Sequence, residues 1–190
     1  MDLRLNRSEV HPSCNVIITG SKSESNRMLI LQAFFEKLQI DNLSNSDDTQ
    51  VLQKALSSND EVIDVHHAGT AMRFLTAYLS IQESRTSVLT GSSRMKERPI
   101  GVLVDALRVL GADISYKEKE GFPPLLIKGK ELDKHQVTLK ADVSSQYISA
   151  LLLIAPVLKN GLQLTLEGEI TSIPYINMTL SLLNELGVET

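Results

Sequence analysis

The sequence predicts an α/β fold, and three observations support this class. Segments with the helical hydrophobic period alternate with short segments that have the two-residue period of a strand. Clusters of turn-forming residues separate these segments at 45–48, 57–60, 91–94, 120–124 and 159–161. One long stretch of strand and helix also recurs later in the chain. Repeated units of strands and helices are therefore expected.

Six segments have the helical period, and each begins at or directly after a hydroxyl residue, paired aspartates or a proline, all of which suit a helix N-terminus. The predicted helices cover 24–37, 47–57, 70–80, 99–110, 144–155 and 174–186. Seven shorter segments have the pattern of strands. The predicted strands cover 39–43, 62–66, 86–90, 112–117, 124–128, 136–140 and 162–167.

The recurring stretch joins 86–114 to 162–190, that is, "TSVLTGSSRMKERPIGVLVDALRVLGADI" to "LQLTLEGEITSIPYINMTLSLLNELGVET". Both run from a strand through a glycine turn and a polar loop to a helix that starts with proline and ends at Leu-Gly. Each copy follows an apolar helix opened by Thr70 or Ser144, and Ser23 opens a shorter third copy. The sequence therefore predicts one supersecondary unit used three times.

The last copy stops at Thr190, where the earlier copy continues into strands 112–117 and 124–128. We therefore predict that the chain is truncated within its third unit. Such a unit leaves an unpaired sheet edge. We expect either that the tail is disordered or that a partner covers this edge. The partner could be a second copy of the chain.

Composition excludes several classes of function. The formal net charge of −4 and an aromatic content of 4% disfavour a nucleic-acid-binding protein. The chain has one cysteine, Cys14, and its longest apolar run, "ISALLLIAPVL", is too short to cross a membrane. We predict a soluble cytoplasmic protein that binds neither nucleic acid nor membrane, and in which any anion site is local.

The stretch "TGSKSESNR", 19–27, places Lys22, Ser23 and Arg27 at the start of a predicted helix. Free N–H groups and the helix dipole favour an anion there, and an arginine adds a bidentate fork. The alternative is a capping box, because Ser21 and Glu24 fit its spacing and the cations would then only be solvated. These residues alone leave both interpretations open.

The same design recurs at other helix openings. In "HHAGTAMRF" Gly69 allows a ligand to approach the backbone and Thr70 opens a helix, whereas a metal site at the adjacent His66 and His67 is disfavoured because neighbours on a strand face opposite ways. In "SSRMKERP" three cations precede Pro99. Further hydroxyl and amide groups open helices in "DVSSQYIS" and "TSIPYIN". Each is compatible with simple capping, but their coincidence predicts a shared anion site.

The motifs "GSKSESNR", "HAGTAMR", "LTGSSRMKERPIG" and "SSQYISALL", in this order, resemble those of the 5-enolpyruvylshikimate-3-phosphate synthases (3-phosphoshikimate 1-carboxyvinyltransferases). The resemblance implies an inside-out α/β barrel domain, built of βαβαββ repeats around a pseudo-threefold axis. It also implies transfer of the enolpyruvyl group of phosphoenolpyruvate to the 5-hydroxyl of shikimate 3-phosphate. Phosphate is released, and no cofactor or metal is needed.

The resemblance assigns residues to each ligand. For shikimate 3-phosphate they are Lys22, Ser23, Arg27, Ser144, Ser145, Ser172 and Tyr175. For phosphoenolpyruvate they are Lys22, Gly69, Arg98 and Gln146, of which Lys22 and Arg98 are nearest the chemistry. Asp48, Thr70 and Arg94 are expected to support the site.

Members of the family are monomeric enzymes more than twice as long as this chain, and their acid and base carboxylates match nothing in it. The resemblance implies that 1–18 is a strand and hinge of the other domain, that 19–190 is an incomplete three-repeat domain, and that the C-terminal domain is absent. We expect this half to bind shikimate 3-phosphate without catalysis. A non-catalytic phosphate-binding module remains an alternative. A relative of the UDP-N-acetylglucosamine enolpyruvyl transferases is disfavoured, because those enzymes have Lys-Asn in place of Lys22-Ser23.

Overall fold

The computed structural model describes residues 2–4, 6–7, 9, 13–140, 142 and 144–190. The described residues form helices and strands in the order α1 (Lys22–Phe34), α2 (Asp47–Ser57), β1 (Val62–Asp64), α3 (Gly69–Ser80), β2 (Thr86–Thr90), α4 (Ser93–Lys96), α5 (Gly101–Leu110), β3 (Asp113–Tyr116), β4 (Leu125–Lys128), β5 (Gln136–Lys140), α6 (Ser145–Ile154), β6 (Gln163–Glu167) and α7 (Ile173–Glu185). A short 3-10 turn, Ala155–Val157, follows α6. The predicted α/β class is confirmed.

The first sheet has the strand order β1-β2-β4-β3. Strands β1 and β2 are parallel and are joined through α3, whereas β4 runs antiparallel to both β2 and β3. Parallel neighbours need a crossover connection, which α3 supplies. Residues 62–128 therefore form one complete βαβαββ unit.

The second sheet repeats the beginning of the first. Strands β5 and β6 are parallel, with Val137 opposite Leu164, and α6 connects them before α7 follows. Gly111 after α5 and Gly187 after α7 both have left-handed backbones, with φ of 112° and 82°. Glycine adopts this conformation at low cost and so ends both helices in the same way. The predicted repeat is confirmed for these two copies, whereas the shorter third copy, expected from Ser23 onward where α1 and α2 lie, stays a prediction.

The helices lie inside and the sheets outside. Every residue of α3 is buried, including the polar Thr70, Arg73, Thr76 and Ser80. A helix buried on all sides is a central element rather than a surface one. It packs against α6, most of whose residues are also buried. Among the described residues, no helix is long and apolar enough to cross a bilayer.

Some predicted elements are wrong. Residues 39–43 form no strand, because Asn42 turns the chain with a positive φ of 54° and its carbonyl accepts a hydrogen bond from the Gly20 N–H. Helix α1 ends three residues early, at Phe34. The predicted loop 92–98 contains α4, because the Ser92 hydroxyl caps the Met95 N–H.

The N-terminal segment 1–18 was predicted to contain a strand. Its described residues form none, and residues 1, 5, 8 and 10–12 lie outside the described part of the chain. Its described apolar side chains are solvent-exposed, with Val16, Ile17 and Ile18 at 74%, 99% and 75%. The assignment of this segment to another domain stays a prediction.

Candidate functional site

The first turns of four helices surround one cavity of about 330 Å³. The helices are α1, α3, α6 and α7, and the lining residues are Lys22, Ser23, Arg27, Thr70, Ser144, Ser145, Gln146 and Tyr175. The first N–H groups of a helix have no partner within it, and the helix dipole makes this end positive. Four such ends and two cations face a cavity whose lining includes no carboxylate. The arrangement favours a multiply charged anion.

The start of helix α1 has features of both the capping box and the anion site considered for this sequence. The Ser21 hydroxyl accepts a hydrogen bond from the Glu24 N–H at 3.4 Å, so the helix is capped as the alternative predicted. Lys22 and Ser23 nevertheless line the cavity. Capping therefore uses Ser21 and leaves the two following side chains available to a ligand.

Asp48 of α2 connects two walls of the cavity. Its Oδ2 lies 3.8 Å from the Lys22 ammonium, and its Oδ1 accepts a hydrogen bond from the Thr70 N–H at 3.3 Å. A carboxylate at the start of α3 satisfies a free N–H group and interacts well with the dipole. The supporting role expected of Asp48 and Thr70 stays a prediction.

Two substitutions separate the contacts of Asp48. Asp48→Ala removes both, and we expect it to lower the free energy of unfolding by about 1 kcal/mol, the usual cost of losing a helix cap. Asp48→Asn keeps an oxygen for the Thr70 N–H and loses only a half-exposed ion pair, so it should cost roughly 0.5 kcal/mol or less. Urea denaturation followed by circular dichroism measures both. Equal losses would mean that the Lys22 ion pair is the contact that matters.

Helix α6 supplies a wall of hydroxyl and amide groups. The Ser144 hydroxyl caps the Gln146 N–H at 3.4 Å, and the Gln146 side-chain amide donates to the Thr70 hydroxyl at 3.2 Å. Ser145 is buried and lines the cavity. The contact between Gln146 and Thr70 joins the N-termini of α6 and α3, so the two helix ends are held in a fixed relation.

Arg27 lies deep in the wall and is only 2% exposed. Its guanidinium donates to the Thr179 hydroxyl, the Ser23 carbonyl, the Ser149 hydroxyl and the Tyr175 carbonyl, at 2.7, 2.7, 2.8 and 3.2 Å. A guanidinium has five N–H groups, so one on Nη1 is left for a ligand. The predicted bidentate fork is therefore used inside the protein.

Two further arginines, Arg73 and Arg98, flank Gly69, the first residue of α3. A Cβ atom on Gly69 would lie 2.5 Å from Arg98 Nη1 and 2.9 Å from Arg73 Nη1. Arg73 is buried and donates to the Gly69 carbonyl at 2.9 Å, and its Nε has no hydrogen-bond partner. Burial lowers the pKa of Arg73. Only glycine lets the Arg98 guanidinium approach this closely.

Five predicted site residues do not line the cavity, and one of them is Asp48, which contacts the lining residues Lys22 and Thr70. Gly69 and Arg98 lie together beside α3, as described, while Arg94 is exposed on α4. Ser172 precedes α7 with a left-handed backbone, φ 56°, and its side chain makes no capping hydrogen bond. Within the described residues, no group of three or more metal-ligating side chains is brought together.

Three residues that hold the site in place were missed in the sequence. Ser149 and Thr179 bind the Arg27 guanidinium, and the Tyr147 hydroxyl donates to the Pro99 carbonyl at 2.7 Å, beside Arg98. A hydroxyl residue within a mostly apolar helix body, Ser149 in "ISALLLI" and Thr179 in "NMTLSLL", is the signal that could have identified these two residues. Buried hydroxyl groups need a partner, and here the partner is the arginine.

Comparison with known proteins gives one consistent family. Residues 51–190 match the family described as EPSP synthase (3-phosphoshikimate 1-carboxyvinyltransferase). A 3-phosphoshikimate 1-carboxyvinyltransferase of Bacteroides fragilis is 58% identical over 171 residues, which are 90% of this chain and 42% of that protein. One of Shewanella loihica is 41% identical and covers 98% of this chain and 50% of its own length. The chain thus spans half or less of these relatives.

Solved structures agree at the level of the fold. An EPSP synthase from Acinetobacter baumannii superposes with a TM-score of 0.74 over 92% of this chain and 44% of its own, at 21% identity. A second structure from the same organism gives the same TM-score at 22% identity. At this identity the superposition establishes the fold alone, which is the inside-out α/β domain predicted from the sequence.

Proposed function

Because the chain belongs to the EPSP synthase family, we propose that it forms the shikimate 3-phosphate-binding half of a 3-phosphoshikimate 1-carboxyvinyltransferase. In this reaction the 5-hydroxyl of shikimate 3-phosphate adds to phosphoenolpyruvate, and elimination then releases phosphate and leaves the enolpyruvyl ether. The proposed enzyme is cytoplasmic and uses no cofactor.

The convergence of four helix N-termini on one cavity is the observation that carries the proposal. A phosphate and a carboxylate on one small ligand would each find N–H groups, hydroxyl groups and a cation there. Ser144, Ser145 and Tyr175 are proposed to bind shikimate 3-phosphate, together with Ser23 and Arg27. Lys22 is proposed to contact both ligands, and Gly69, Arg98 and Gln146 are proposed to bind phosphoenolpyruvate.

The chain is proposed to bind without catalysing the reaction. It spans 42% of the Bacteroides fragilis relative. Closure of a second domain over the ligands would add further charges and exclude water, which electrostatic stabilisation of a transition state requires. We assign residues 1–18 to the contact with that domain, because the apolar side chains of Val16, Ile17 and Ile18 are exposed.

Titration calorimetry of the chain with shikimate 3-phosphate tests the proposal. We expect saturable binding that shikimate, which lacks the phosphate, does not reproduce. Ser145→Ala should weaken it about tenfold, the effect of one charge-assisted hydrogen bond. Ser93→Ala is the matched control, because Ser93 also begins a helix after a capping serine but is exposed and does not line the cavity. Equal effects of the two substitutions would contradict the proposed site.

A phosphate-release assay with both substrates separates the two parts of the proposal. Binding without phosphate release is the expected result. Release would overturn the claim that this half is inert. Absence of binding would overturn the half-site itself.

A further inference from the structure

The inference concerns the buried charge of Arg27. Among the ion pairs formed by the described residues, none includes Arg27. Its neighbours are instead the rings of Phe74 and Tyr175, 5.6 and 6.0 Å from Cζ. Desolvation lowers the pKa of Arg27 to about 10, so the group stays charged at neutral pH. A desolvated cation without a carboxylate partner is costly unless its environment is arranged for it.

Two hydroxyl groups provide this arrangement. The Thr179 Oγ1 of α7 accepts from Nε at 2.7 Å, and the Ser149 Oγ of α6 accepts from Nη2 at 2.8 Å. Both side chains are fully buried. The two oxygens lie 3.1 Å apart and within hydrogen-bonding distance of each other. They therefore form one unit that contacts the guanidinium along its Nε and Nη2 edge.

This unit restricts the orientation of the charge. With the Nε and Nη2 edge engaged, only the Nη1 end has an N–H group left, since the Ser23 carbonyl takes the other. Arg27 lines the cavity, whereas Thr179 and Ser149 do not. A cation held rigidly in a low-dielectric wall stabilises an anion without having to reorganise.

We propose that Thr179 and Ser149 are positioning residues: they touch no ligand, and they fix the Arg27 guanidinium so that its charge and its remaining N–H group serve the anion in the cavity. The ligand part of this inference rests on the function proposed above. It also makes the docking of α7 part of the site, because Thr179 belongs to that helix.

Two substitutions at Thr179 test the role of the hydroxyl. Thr179→Val keeps the shape and removes the oxygen, while Thr179→Ser keeps the oxygen and removes a methyl group. We expect Thr179→Val to weaken shikimate 3-phosphate binding about tenfold, the loss of one hydrogen bond to a charged group. Thr179→Ser should stay within about twofold. A role in packing alone would give the opposite order and would overturn the proposal.

Thr76→Val is the matched control for losing a buried hydroxyl. Thr76 is fully buried on α3, and its hydroxyl donates to the Met72 carbonyl of its own helix rather than to a ligand-facing group. Its substitution should leave the affinity unchanged. All titrations are made without urea and at a temperature well below the unfolding midpoint of each variant, so that every variant is folded. An equal loss of affinity in Thr76→Val would overturn the specific role of Thr179.

A second measurement needs no ligand. The Arg27 Nε–H resonance, identified by its loss in Arg27→Lys, should exchange slowly with solvent in the parent chain and in Thr179→Ser. In Thr179→Val we expect exchange at least ten times faster, because its acceptor is gone. Unchanged exchange would overturn the positioning role. If the parent chain bound no shikimate 3-phosphate, the ligand part would fail with the proposed function, and exchange would still decide whether Thr179 holds the guanidinium.

Discussion

Replacing Arg27 with methionine should lower the free energy of unfolding by roughly 2–5 kcal/mol, the range expected for losing several buried hydrogen bonds and part of a core side chain. Three of the four contacts of the guanidinium connect α1 to α6 through Ser149 and to α7 through Thr179 and the Tyr175 carbonyl. Methionine fills part of the volume and makes none of these bonds.

Removing a buried charge also has a favourable term, because an apolar side chain has no desolvation cost. At Arg27 this gain is offset by the loss of hydrogen bonds from a charged donor to buried acceptors. The Tyr175 carbonyl also accepts from the Thr179 hydroxyl at 3.0 Å, and the two hydroxyl groups can bond to each other, but these neutral donors replace the guanidinium only in part. We therefore expect the losses to exceed the gain.

Arg85→Met is the matched control. Arg85 also donates to a hydroxyl and a carbonyl, those of Ser87 and Ser58, but it is partly exposed and water can replace it. Its substitution should cost about 1 kcal/mol or less. Urea denaturation measures both variants. If Arg27→Met cost no more than the control while shikimate 3-phosphate binding disappeared, the arginine would act on the ligand and hardly on the fold.

Local signals explain what the sequence predicts well. Proline lies in the first turn of α7 and two residues before the start of α5, and Leu-Gly marks the C-terminal end of both helices. The same signals identify the repeat that the sheets then confirm. The strand expected at 39–43 failed for a different reason. Alternation predicts an exposed and a buried face, but a strand also needs a neighbour, and the turn at Asn42 takes this segment away from both sheets.

At the cavity, too, some features follow from the local sequence and others depend on tertiary packing. Caps such as Ser21 and Ser144 are local, and the residues beside them line the site as expected. The hydrogen-bond partners of the Arg27 guanidinium cannot be predicted from the local sequence, because they lie 122 and 152 residues away in the chain. Helix position predicts that an arginine reaches the site. Only packing decides how many of its N–H groups remain for a ligand.

Gly69→Ala should weaken phosphoenolpyruvate binding, measured with shikimate 3-phosphate at saturation, by tenfold or more, because the new methyl group would occupy the place of the Arg98 guanidinium. Arg98 is exposed and its end can swing away, whereas Arg73 is buried and bonded to the Gly69 carbonyl. The new methyl group would also lie 2.9 Å from Arg73 Nη1, so this buried guanidinium has to shift slightly. Alanine within a helix gains up to about 1 kcal/mol over glycine, which offsets this cost, and we expect the fold to be retained. Shikimate 3-phosphate affinity should stay within about twofold, since the atoms nearest to the new methyl group belong to Arg98 and Arg73, neither of which lines that cavity.

Gly101→Ala provides the same chemical change at the same helical position. Gly101 is the first residue of α5 as Gly69 is of α3, but the nearest atom to its added Cβ would be Gly121 Cα at 3.4 Å, and no cation lies nearby. This variant should keep its affinity and its stability. A loss confined to Gly69→Ala would then assign the effect to the two arginines beside Gly69, of which Arg98 lies nearer to the new methyl group, at 2.5 Å against 2.9 Å for Arg73. Equal affinities in both variants would contradict a role for Arg98 at this position, because displacement of these guanidinium groups is a consequence that Gly101→Ala does not share.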